Sequence, residues 1–85
     1  TPATTITGIL TSNGGITFGD AKNIITNATT GTKIGTAVTQ KIGFWNATPV
    51  VQQAHIADAT DAATVITRAN AIILALETEG LLAAA

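Results

Sequence analysis

The chain of 85 residues carries one imidazole, His55, and no cysteine. A histidine can act as a general base or a metal ligand near neutral pH. No pairing of His55 with a Ser, Cys or carboxylate is visible at short range, so it reads as a linker residue ahead of a helix. Asp58 and Asp61 are spaced as paired carboxylates for calcium or for acid–base work would be. The same spacing suits a helix start, where a carboxylate accepts from free N–H groups at the positive end of the dipole. Glu77 and Glu79 cannot share a helix face and read as solvated. Thr29-Thr30-Gly31-Thr32-Lys33 is only a fragment of a phosphate-binding loop, without the full Gly-x-x-x-x-Gly-Lys-Ser/Thr pattern or a βαβ unit around it. Without thiols, disulfide frameworks, thiolate zinc sites and cysteine nucleophiles are excluded. We expect no enzymatic activity, no cofactor and no bound metal.

Phe44-Trp45 is the one aromatic pair. It could stack on a sugar or a base. In a chain with so few large side chains, a plug in a core or interface is the better use of it. Asn27-Ala28-Thr29 and Asn46-Ala47-Thr48 match the glycosylation sequon, which acts only in a secretory context. Thr5/Thr7 and Thr30/Thr32 are too irregularly placed to form a flat Thr array that binds ice or a polymer.

The elements that would position these residues divide near Val51. Residues 1–51 hold seven of the eight Gly, both Pro and all three aromatics, and carry a charge of +2; the remainder is Ala-rich and carries −3. Asn13-Gly14-Gly15 and Thr29-Thr30-Gly31 are turn signals. Between them Ile16 and Phe18 alternate with Thr17 and Gly19, and Asn23-Ile24-Ile25-Thr26 is β-branched, so both segments predict short strands. Thr32, Ile34, Thr36 and Val38 share one face of a further predicted strand. Lys33-Ile34-Gly35 returns eight residues later as Lys41-Ile42-Gly43, as stacked rungs would repeat.

Residues 58–79 predict one helix, with Asp58 or Thr60 as its N-cap and Gly80 just past its end. Ala59, Ala62, Ile66, Ala69, Ile73 and Leu76 follow heptad spacing, and Ala63, Val65, Ile72 and Ala75 widen that stripe. Arg68 lies off it. The domain reading is therefore an N-terminal Thr-rich arm or linker over 1–15, a β-rich region over 16–52, to which the resemblance given below assigns trimerisation, and a helical region over 53–85.

Composition supports self-association. The apolar fraction is 46%, but 16 of those residues are Ala, and only 11% of the chain is charged. Ordinary soluble domains carry about 25% charged residues. Such a monomer has a thin core, which burial against copies of itself would remedy. A net charge of −1 argues against nucleic acid, which needs a basic stripe. No apolar run reaches the roughly 20 residues that span a bilayer, and no signal peptide opens the chain. Thr at position 1 leads us to expect a chain trimmed, processed or cut from something longer.

The stretch Gly31-Thr32-Lys33-Ile34-Gly35-Thr36-Ala37-Val38-Thr39-Gln40-Lys41-Ile42-Gly43-Phe44-Trp45-Asn46-Ala47-Thr48-Pro49-Val50-Val51-Gln52 resembles a motif of tailed-phage head-fibre and other virion appendage proteins. Phe18–Ile24 upstream and Asp58–Leu82 downstream are similar to the segments that flank the motif there. The chain departs from the pattern at Asn46, where Gly is commoner, which bears on the local turn geometry. The resemblance implies a non-enzymatic structural protein on the virion surface, a homotrimer with other virion proteins of the capsid or tail as partners. The alternative is a fibre tip that binds a host surface glycan or receptor. It also implies the fold class, α+β, with intertwined short strands and one C-terminal helix contributing to a three-helix cluster. Ile34, Ile42, Phe44, Trp45, Ala62, Ile66, Ala69, Ile73 and Leu76 are the expected trimer-interface residues.

Overall fold

A helix starts where a side chain replaces the missing acceptors of its first turn. Asp61 does this. Its backbone is extended (φ −153°, ψ 179°), and its carboxylate accepts from the Thr64 N–H at 2.9 Å. Thr64 Oγ1 in turn accepts from the Asp61 N–H at 2.9 Å and the Thr60 N–H at 2.8 Å. This reciprocal box opens helix α1, Ala62–Glu79. The computed structural model describes residues 2–84.

The helix start corrects the sequence reading. Neither Asp58 nor Thr60 is the cap, and α1 has 18 residues rather than reaching back to 58. Thr64 decides it, because its hydroxyl completes the box only with Asp61. The far end is as expected. Gly80 is left-handed (φ 87°), and Leu76 O accepts from the N–H groups of Leu81 at 3.0 Å and Leu82 at 3.2 Å.

The fold class is corrected more deeply. Among the described residues α1 is the sole helix, and β pairing is confined to one antiparallel bridge, Ile42 with Val50. There is no sheet, so neither intertwined strands nor a three-helix cluster describes this architecture. Turns compete for the N–H groups that a ladder would need. Gln40 Oε1 accepts from the N–H of Thr36 at 2.6 Å and of Ala37 at 3.4 Å, which closes a turn where a strand over Thr32–Val38 was expected. The Lys-Ile-Gly echo likewise has two structures. Gly35 enters that turn at φ 87°, whereas Ile42 of the second copy forms the bridge.

The chain divides into two units, Thr1–Thr32 and Lys33–Ala85. In the first, every described residue is exposed. Its local order is turn chemistry: Ser12 Oγ donates to Gly15 O at 2.8 Å, Lys22 N–H donates to Gly19 O at 3.2 Å, and Asn27 Oδ1 accepts from Thr29 N–H at 3.2 Å. The segments expected as strands at Ile16–Phe18 and Asn23–Thr26 form no strand and make no β pairing. Alternation marks which side chains seek burial; it does not supply a neighbouring strand.

In the second unit the C-terminal end of α1 meets the 44–47 turn. The Ile42–Val50 bridge uses N–H···O bonds of 2.9 and 3.1 Å; Phe44 N–H donates to Glu79 O at 3.0 Å, and Gln52 N–H donates to Val38 O at 3.1 Å. A Cβ on Gly80 would fall on the Phe44 carbonyl and lie 2.6 Å from Ala47 Cβ, so only glycine lets the 44–47 turn reach the helix end. Glu79 and Glu77, expected to be solvated, are half-buried there. Besides these two, the half-buried helix positions are Thr64, Arg68, Ala71, Ala75 and Thr78, spaced 4, 3, 4 and 3.

Asp61 carries a pH prediction. The backbone N–H of Thr64, then its hydroxyl, hold the Asp61 carboxyl below its ordinary value of 3.8. A depressed folded-state value makes the contribution complete above the unfolded carboxyl range and lost as pH falls through the folded value. Helicity by circular dichroism should therefore hold from neutral pH to about 4 and decline below it. Asp61→Ala should lower helicity at pH 7 and remove that acid-dependent component, whereas Asp61→Ser should retain helicity but not the pH step.

Candidate interaction surface

Among the described residues of the single chain there is no buried core. None of the described residues is fully buried, and 19 of the 23 Val, Ile, Leu, Phe and Trp side chains are exposed. The other four, Ile42, Phe44, Val50 and Ile56, are half-buried, all in the second unit.

On α1 the apolar stripe faces away from the chain's own turns. Ile66 is 65% exposed and Ile73 44%, and Ala62, Ala69 and Leu76 are exposed with them. At 3.6 residues per turn this stripe lies opposite Thr64, Arg68, Ala71, Ala75 and Thr78. The helix thus turns small and polar side chains toward its own chain and leaves its Ile and Leu side chains uncovered. Sequence reasoning found the stripe but missed the second, opposite one, because Thr, Arg and Ala carry little hydropathy signal. Arg68 belongs to that second stripe; its Nε is buried without a hydrogen-bond partner among the described residues.

The other expected interface residues separate. Ile34 is 75% exposed, whereas Ile42 and Phe44 are half-buried. Ile34, Val38, Ile42, Phe44 and Val50 line an open cleft of about 500 Å³, with Lys33 and Glu79 also on its wall. Trp45 is not part of that cleft and is 83% exposed. Its ring centroid lies 6.2 Å from that of Phe44, tilted by 36°. Trp45 and Asn46 both have positive φ, 47° and 65°. Asn tolerates this region, but a bulky residue there is strained. Asn46→Gly should therefore be neutral or slightly stabilising by thermal melting, and Asn46→Val should lower the melting temperature.

No family model matches the chain, and no curated protein or solved structure is similar to it. Among the described residues no three His, Cys, Asp or Glu side chains come together, and no helix is long and apolar enough to cross a membrane. His55 is exposed in the segment before α1. What the geometry offers is apolar surface: a helix stripe, a cleft and a projecting indole.

Proposed function

We propose that this chain is a non-enzymatic virion structural protein, a homotrimer that serves as a phage head fibre, a capsid decoration or a fibre-attachment domain. The resemblance of Gly31–Gln52 to the appendage motif supports the virion assignment. The observation that carries self-association is the uncovered stripe Ala62, Ile66, Ala69, Ile73 and Leu76. Burying apolar area contributes about 25 cal/mol per Å², and neighbouring copies are the ready source of a matching surface. Its docking partners are other proteins of the capsid or tail.

Locating the protein in gradient-purified particles tests the assignment. Immunogold labelling of the particle surface and recovery of the chain from particles by mass spectrometry are expected. Particles lacking the chain, with all of it in the soluble lysate, would count against a virion role. A second reading, a fibre tip that binds glycan, is favoured by the 83% exposure of Trp45. It predicts that sugars on an array are retained by the wild-type chain and lost with Trp45→Asn.

A further inference from the structure

The amide carbon of an asparagine is an electrophile that the backbone nitrogen of the next residue can reach, closing a five-membered ring. Two restraints oppose this in a folded chain. A side chain on the following residue crowds the nitrogen, most of all when it is β-branched. A hydrogen bond from the following N–H fixes that nitrogen in place. Of the chain's five asparagines, Asn13 alone precedes glycine; Asn27, Asn46 and Asn70 precede Ala, and Asn23 precedes Ile.

Both restraints are missing at Asn13, and at least one holds at every other asparagine. Asn13 and Gly14 form an exposed bend, spanned by Ser12 Oγ donating to Gly15 O at 2.8 Å. Gly14 has no Cβ, and one built there meets nothing within 4 Å, so the space beside the bend is open. Among the described residues nothing accepts from the Gly14 N–H, and nothing bonds the Asn13 amide. At Asn46 the following N–H, that of Ala47, donates to Phe44 O at 3.0 Å. At Asn70 the following N–H, that of Ala71, lies within the hydrogen-bond ladder of α1. Asn27 has its amide oxygen engaged by Thr29 N–H at 3.2 Å and a methyl on Ala28 beside it. Asn23 faces the β-branched Ile24.

We propose that Asn13-Gly14 is a self-modification site, at which Asn13 converts to Asp and isoAsp through a succinimide. The Gly14 N–H proton passes to solvent base as its nitrogen bonds to Asn13 Cγ. The Cγ–Nδ2 bond breaks, and ammonia leaves with a proton from water. A water molecule then opens the ring. Addition at Cγ restores the original main chain and leaves Asp. Addition at the main-chain carbonyl leaves isoAsp, with the chain now running through the side-chain carbons. Water is the only co-reactant, and nothing is oxidised or reduced. One carboxylate replaces one neutral amide, so the net charge goes from −1 to −2.

Tryptic mapping of the full wild-type chain, aged in warm, mildly alkaline buffer, tests this. Cleavage after Lys22, Lys33, Lys41 and Arg68 puts Asn13, Asn46 and Asn70 on separate peptides, and Asn23 with Asn27 on another. The 1–22 peptide should gain both Asp and isoAsp at position 13, at least tenfold faster than any other peptide gains acid. In Gly14→Ala, which the open space accommodates, conversion at Asn13 should slow at least fivefold with helicity unchanged. In urea, Asn46 and Asn70 should speed up as their neighbouring N–H groups are released, while Asn13 keeps its rate. Asp without isoAsp at position 13 would mean direct hydrolysis of the amide and overturns the ring. Equal rates in wild type and Gly14→Ala overturn the role of Gly14. An Asn13 that is stable in the folded chain and converts only in urea overturns the proposal altogether.

Discussion

Gly80→Ala should destabilise the second unit by about 2–5 kcal/mol, the largest effect expected of any single methyl group in this chain. Two costs coincide. A left-handed φ of 87° is about 1–2 kcal/mol less favourable for an L-residue than for glycine. The added Cβ also meets the Phe44 carbonyl and Ala47 Cβ, and such overpacking against backbone typically costs about 1–3 kcal/mol. The hydrogen bond from Phe44 N–H to Glu79 O is the contact most exposed to this shift. Amide hydrogen exchange should show it: Phe44 and Leu81 lose protection in the variant, while the Asp61 end of α1 keeps its own. Gly14→Ala is the control. A Cβ there meets nothing within 4 Å, so thermal melting should barely change.

Ile73→Ala should dissociate the assembly while leaving the single chain's own fold intact. Truncating a buried Ile costs about 2–5 kcal/mol, and in a homotrimer the loss occurs in every copy. In the isolated chain Ile73 is 44% exposed, and substitutions at exposed sites stay within about 0.5 kcal/mol. The two cases separate by concentration. Wild-type melting temperature should rise with protein concentration, as association requires. Ile73→Ala should melt lower and lose that dependence. Arg68→Ala, on the opposite face, should leave the sedimenting mass unchanged. Loss of assembly by Arg68→Ala alone would mean that an ion pair between copies, rather than the apolar stripe, holds them.

The legible parts of the fold were those encoded within a few residues. The Gly80 terminus, the turns at Asn13–Gly15 and Thr29–Gly31 and the 62–66–69–73–76 stripe all follow from local backbone freedom or helical spacing. The cap was misplaced because Asp58 and Asp61 are equally good acceptors in sequence; only the Thr64 hydroxyl distinguishes them. The strands failed for a different reason. Thr, Ile and Val favour extended backbone, but a sheet needs long-range partners, and Gln40 takes the N–H groups of Thr36 and Ala37 instead. Of the expected interface set, the helix residues stay together, whereas Phe44 lines the cleft and is half-buried and Trp45, left-handed, lies outside it and is exposed. Adjacent aromatics give no sequence signal for that difference; only the commoner glycine at position 46 in the resembled motif hints at unusual backbone there.

Sedimentation equilibrium at micromolar concentration tests the central claim, that this chain completes its fold by associating with copies of itself. The account predicts a single species of three copies of 8.5 kDa, or 25.5 kDa, across a tenfold dilution. A homogeneous 8.5 kDa species that retains its helicity would contradict it.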